Sequence, residues 1–167
     1  MKSGFLAAVA ACSLMLAAPA MAQGVKIGIL NDQSGVYADY GGKYSVEAAR
    51  MAIEDFGGEV LGQKIEMITA DHQNKPDIAS NISRQWYDRE QVDSIMELTT
   101  SSVALAVQGI SKSKKKINLV TGAATTELTG KQCSPYGFHW AYDTHALAVG
   151  TGSALVSQGG DSWYFLT

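Results

Sequence analysis

With a net charge of −3 over 167 residues, the chain has too little charge of either sign for a nucleic-acid or membrane-surface binder. Its 46% hydrophobic and 17% charged residues are ordinary for a globular protein with a core. The basic run Lys112, Lys114, Lys115 and Lys116 has no interleaved aromatics and reads as a solvated helix C-terminus, where cations complement the dipole.

Residues 1–22 read as a signal peptide. Lys2 supplies the charge, an apolar run follows from Phe5 to Ala18, and Ala20-Met21-Ala22 offers the small-x-small site before Gln23. The run is too short for a membrane anchor. Val9-Ala10-Ala11-Cys12 has the form of a lipobox, but the apolar run continues past Cys12 to the better site, so lipid anchoring is disfavoured. The expected location is the periplasm, and no cofactor is expected. The mature chain, about 145 residues, is one domain by length.

A strand at residues 25–30 is followed by a polar, Gly-rich loop over residues 31–42. Tyr44, Ala48, Met51, Ala52 and Phe56 recur at helical spacing, and Gly57-Gly58 stops that helix. Residues 64–70 read as a second strand. Pro76 opens a helix in which Ile78, Ile82 and Trp86 form one stripe. Residues 92–98 give a third strand, 102–111 a helix, 117–121 a fourth strand and 126–131 a helical turn. A brief strand at 138–141 and a small-residue helix at 146–156 come next. Residues 162–167 read as a final strand with no closing helix. With Cys133 left as the mature chain's single cysteine, this suggests an N-terminal fragment.

Strands alternating with helices predict an α/β fold with a mainly parallel sheet, whose ligands sit at the loops after the strand carboxyl ends. Those loops are residues 31–42, 98–102 and 121–127, all rich in hydroxyls and glycine. Thr99-Thr100-Ser101-Ser102 sets four hydroxyls before a helix whose first N–H groups lack partners, a neutral site suited to a carboxylate. N-capping alone needs only one of them. Gly122-Ala123-Ala124-Thr125-Thr126 repeats the pattern, and its small residues admit close approach to the backbone. Tyr37 and Tyr40 offer an aromatic wall.

Catalytic readings fare worse. No Ser lies in a G-x-S-x-G elbow, and His72, His139 and His145 lack metal-ligand spacing. Gly150-Thr151-Gly152 falls inside a helix, with Leu155 at the third glycine position of a dinucleotide fingerprint.

Gln33-Ser34-Gly35, Tyr40-Gly41, Gly57-Gly58, Gly62, the Ser/Thr cluster and Gly122 to Thr129 together resemble the type I periplasmic solute-binding proteins of ABC importers. Within these the similarity is to the branched-chain amino-acid (Leu/Ile/Val) group, and it covers essentially all of residues 24–167. It implies a two-lobed fold joined by three crossovers. Residues 23–142 would be most of the first lobe, and 143–167 the crossover and the start of the second. It also implies ligand-binding roles for Tyr40, Thr99, Thr100, Ser101, Ala123 and Thr125. Thr100 would hold the ligand carboxylate, Ala123 and Thr125 would touch an amino-acid head group, and Tyr40 would close over the site. The expected partners are a small solute and a permease, with the protein itself monomeric and not an enzyme. Two positions depart from the family: Leu98-Thr99-Thr100 lacks a cysteine common before the binding Ser, and Gly122 replaces a usual Pro. A sensory module of the same fold, or an exported α/β hydrolase, are the alternatives. Downstream sequence and ester or amide assays distinguish them.

Overall fold

The computed structural model describes residues 24–164, so the predicted signal peptide lies outside the described residues. Five strands form one parallel sheet: β1 (Lys26–Asn31), β4 (Glu66–Asp71), β5 (Ser94–Glu97), β6 (Ile117–Val120) and β7 (Gly137–His139). Their spatial order is β4-β1-β5-β6-β7, with every pairing parallel. The helices are α1 (Ala38–Gly41), α2 (Lys43–Asp55), α3 (Pro76–Asp88), α4 (Ser101–Lys114) and α5 (Thr144–Ser157). A 3-10 turn covers Thr126–Leu128. The predicted α/β class and parallel sheet are therefore present.

The core lies between the sheet and the α3–α4 pair. Leu30, Val92, Ile95, Leu98 and Val120 meet Val103 and Val107 of α4 there, all with no exposed surface. Trp86 of α3 lies over Gly28 so closely that a Cβ at that glycine would sit 2.5 Å from its ring. Tyr87 locks the layers together, its hydroxyl 2.9 Å from both the Ser111 hydroxyl and the Ile117 carbonyl. Burial raises the Tyr87 pKa to about 12, so that phenol stays protonated and donating.

Three local expectations are corrected. On α2, Tyr44 and Met51 face outward, 69% and 55% exposed, whereas Ala48, Ala52 and Phe56 border hollows against Ile29 and Met96 of the sheet without being buried. The helix instead turns Val46, Ala49 and Ile53 inward. The apolar positions thus spread over more than one face, and the sheet takes only part of them. On α3 the buried line is Ala79, Ser83, Trp86 and Tyr87, with Ile78 and Ile82 half-buried beside it. Small Ala79 and Ser83 let α4 approach closely. Finally, residues 162–164 form no strand, because no described strand stands beside them; residues 165–167 lie outside the described residues.

A hairpin of β2 (Glu59–Val60) and β3 (Gln63–Lys64) precedes β4 and was not anticipated. Its turn sets both Leu61 (φ 53°) and Gly62 (φ 74°) in the left-handed region. That is the conformation of a tight two-residue hairpin turn. α5 buries none of its fourteen residues.

Candidate ligand-binding site

The site is assembled where β1, β5 and β6 end at one edge of the sheet. β1 delivers Asn31 and Asp32, both fully buried. The Asp32 carboxylate accepts from Gly35 N at 2.8 Å and Tyr37 N at 3.0 Å, folding the first loop back on itself. Asn31 fixes the far end of that loop by donating from Nδ2 to the Gly42 carbonyl at 2.7 Å.

β5 ends in a sharp change of direction. Glu97 (φ 87°) and Leu98 (φ 55°) both adopt left-handed backbone, rare for such side chains and found preferentially at functional turns. The Thr121 hydroxyl donates to the Glu97 carboxylate, and Thr121 N donates to the Glu97 carbonyl at 3.0 Å. The ends of β5 and β6 are thereby tied together.

The turn at Glu97–Leu98 drives Thr99 into the centre of the three loops. Thr99 is 3% exposed. Its Oγ1 accepts from Asp32 N at 3.3 Å and donates to the Gly41 carbonyl at 3.4 Å. Gly41 and Gly122 pack on either side of it. A Cβ at Gly41 would lie 2.8 Å from Thr99 Cγ2, and one at Gly122 would lie 3.0 Å from Thr99 Cα. The glycine at position 122 thus brings the third loop against the second.

Thr100 takes the N-cap position of α4 with extended backbone, yet its side chain makes no capping bond. Its Oγ1 instead donates to Asn74 Oδ1 at 2.9 Å. The opening N–H groups of α4 have no intrahelical partners, so they point out of the helix end with the positive end of the dipole behind them. Beside them lie Ala123 and Ala124. The Ala123 carbonyl accepts from His139 Nε2 at 2.6 Å, which gives His139 a structural partner.

These elements enclose a cleft of about 450 Å³. Tyr37, Tyr40 and Tyr142 form one wall, residues 99–101 the floor at α4, and Gly122, Ala123 and Ala124 the other side. The Tyr40 hydroxyl donates to the Gly122 carbonyl at 3.4 Å and shares a 3.1 Å bond with the Tyr142 hydroxyl. That bond, reinforced by partial burial, raises the Tyr40 pKa to about 12. The Tyr40 phenol therefore acts as a neutral hydrogen-bonding wall. Among the described residues, no charged side chain and no histidine lines the cleft.

Five of the six predicted site residues meet here: Tyr40, Thr99, Thr100, Ser101 and Ala123. Thr125 does not line the cleft; its Oγ1 accepts from Glu127 N at 3.3 Å and caps the 3-10 turn. Tyr142 and Asn74 escaped the sequence reading. Tyr142 offered the weak signal of an aromatic just after β7, whereas Asn74 offered none. Chemically, the cleft presents hydroxyls and backbone N–H groups to an anion, with rings opposite to cover an apolar body.

The periplasmic binding protein family profile matches residues 24–167. This chain belongs to that family. Among solved structures, a periplasmic binding protein from Burkholderia mallei is 50% identical, with a TM-score of 0.82, covering 86% of this chain and 38% of its own. A branched chain amino acid ABC transporter periplasmic ligand-binding protein from Burkholderia xenovorans LB400 is 41% identical, with a TM-score of 0.77, over 81% and 36% of the two chains. A solute binding protein of an ABC transporter from Rhodopseudomonas palustris BisB5, in complex with 3,4-dihydroxy benzoic acid, shares the fold at 24% identity and a TM-score of 0.75, over 81% and 36%. Among curated proteins the chain has no match. The sheet and helices of this periplasmic binding protein thus correspond to a lobe of the type I fold, and the chain spans about 38% of the length of the Burkholderia mallei relative.

Proposed function

We propose that this periplasmic binding protein is the first lobe of an extracytoplasmic receptor for an ABC importer. It holds a small solute by its carboxylate and hands it to a permease, without chemistry of its own. The observation that carries this is the end of α4, where Thr100 is freed from capping and stands beside unpaired N–H groups, with no competing charge in the cleft among the described residues. An anion fits such a site without a cationic side chain. In this reading the carboxylate lies against residues 99–101 and Ala123, and Tyr40 covers the remainder of the solute. Thr125 supports the loop from behind.

Residues 23–142 form the lobe and 143–167 the crossover and the start of a second. α5 supports this boundary: it is apolar on every side yet unburied, and such helices belong inside a larger assembly. Residues 1–22 direct export to the periplasm, and the receptor works as a monomer. Neighbours of this fold carry isoleucine or benzoate, both carboxylates, which supply probes.

The test is an NMR titration of the ¹⁵N-labelled chain with L-isoleucine, benzoate and their primary amides. The acids should shift the amide signals at the start of α4 and at Ala123, and bind more tightly than the amides. Acids that move none of these signals, or bind no better than their amides, would sink the carboxylate reading.

A further inference from the structure

We infer that Asn74 is a positioning residue for the solute carboxylate, acting through Thr100 by exchanging the ends of its side-chain amide; the inference rests on the carboxylate reading above. A threonine hydroxyl has one hydrogen. In the structure that hydrogen goes to Asn74 Oδ1 at 2.9 Å and is not free to meet a ligand. A half-turn of the amide places Nδ2 where Oδ1 stood. Nδ2 then donates to Thr100 Oγ1, and the hydroxyl hydrogen swings toward the cleft. A primary amide has an acceptor and a donor of nearly the same shape, so it satisfies Thr100 in both states. A carboxylate in its place would only accept, and would hold the hydroxyl turned away.

The backbone holds Asn74 at this post. Gln73 and Asn74 adopt left-handed φ of 53° and 55°, a conformation that Asn tolerates well. Asp71 Oδ1 accepts from Gln73 N at 2.8 Å, and His72 Nδ1 accepts from Asn74 N at 3.0 Å. His72 is completely buried, and that burial lowers its pKa and favours the neutral ring, whose Nδ1 is the acceptor for Asn74 N. The side chain, by contrast, is only half-buried, so its amide has room to turn. A rigid backbone therefore carries a side chain with two usable settings, next to the one hydroxyl that the cleft needs to redirect.

Two measurements on the full chain test this. The first is a double-mutant cycle in urea unfolding without ligand, pairing Asn74→Gly, which keeps the left-handed backbone, with Thr100→Val. The expected coupling is about two- to tenfold in the unfolding constant, as for one hydrogen bond. The second is Asn74→Asp titrated by NMR with benzoate and benzamide. Affinity for benzoate should fall by roughly ten- to a hundredfold, the scale of a lost bond to a charged group. Affinity for benzamide should change little, a split that general loosening of the loop would not produce. Asn74→Gln provides a longer amide in the same role and should recover part of the benzoate affinity. An additive cycle overturns the inference, as does an Asn74→Asp loss shared equally by acid and amide. If the wild-type chain bound benzoate and benzamide alike, the carboxylate reading itself would fall, and the inference with it.

Discussion

Thr100→Ala removes one hydroxyl from the end of α4 and separates two roles that a threonine at an N-cap can play. Were Thr100 a cap, its loss would cost the helix about 0.5–2 kcal/mol and leave ligand affinity alone. The structure shows no capping bond, so α4 should be spared that cost. Stability should fall only by the bond to Asn74, about 1 kcal/mol. Affinity should respond more strongly. A hydrogen bond to a carboxylate is worth about 1.5–3 kcal/mol, so benzoate or L-isoleucine should bind roughly ten- to a hundredfold more weakly. Thr100→Ser keeps the hydroxyl and should bind nearly as the wild type does. Lys114→Ala, which breaks only an exposed pair with Asp88, serves as the neutral control. NMR titration and urea unfolding of the same four proteins give both quantities. Unchanged affinity in Thr100→Ala, together with a loss of helix stability, would show an ordinary cap and refute the assignment of the site.

Thr125→Ala should lower stability by about 0.5–1 kcal/mol through loss of the cap on the 3-10 turn, with affinity nearly unchanged; urea unfolding and titration measure both. Ile95→Ala, in the middle of the sheet with no exposed surface, should cost roughly 2–5 kcal/mol in the same unfolding assay. The buried His72 should also make stability depend on pH. Its folded pKa lies below the ordinary value of 6.5, so the unfolded chain binds more protons there, and stability must fall as pH drops from 6.5 through the folded value. His72→Gln should flatten that slope. Asp71 acts at lower pH: three hydrogen bonds outweigh its burial and hold its pKa below 3.8, so its contribution is lost only in stronger acid.

Much of this architecture was legible because alternation of strand and helix is a local pattern, and the parallel sheet follows from it. Hydroxyl- and glycine-rich loops at strand ends likewise announced the cleft. What escaped was set by tertiary choice. α2 spreads its apolar positions over more than one face, and only the shape of the sheet selects between Val46 and Tyr44. The β2–β3 hairpin hid because Leu61, rather than Asn or Asp, occupies the first left-handed position of its turn. Asn74 and Tyr142 reach the site across 26 and 102 residues of chain, to Thr100 and Tyr40, and no local spacing announces such pairs.

Thr99 has a consequence for how solutes are discriminated. One buried hydroxyl joins the first loop at Asp32 and Gly41 to the second, and the Thr99 backbone abuts the third at Gly122. Three loops fastened at one point move as one body, so the polar floor of the cleft exists before the solute arrives. Little ordering entropy, which elsewhere costs about 0.5–1.5 kcal/mol per immobilised side chain, is left to spend on recognising the carboxylate. In the proposed carboxylate reading, the floor is therefore a constant, indifferent to what the carboxylate is attached to. On that reading, choice among solutes would fall to the rim, where Tyr37 and Tyr142 remain 42% and 49% exposed, above the fastening at Thr99.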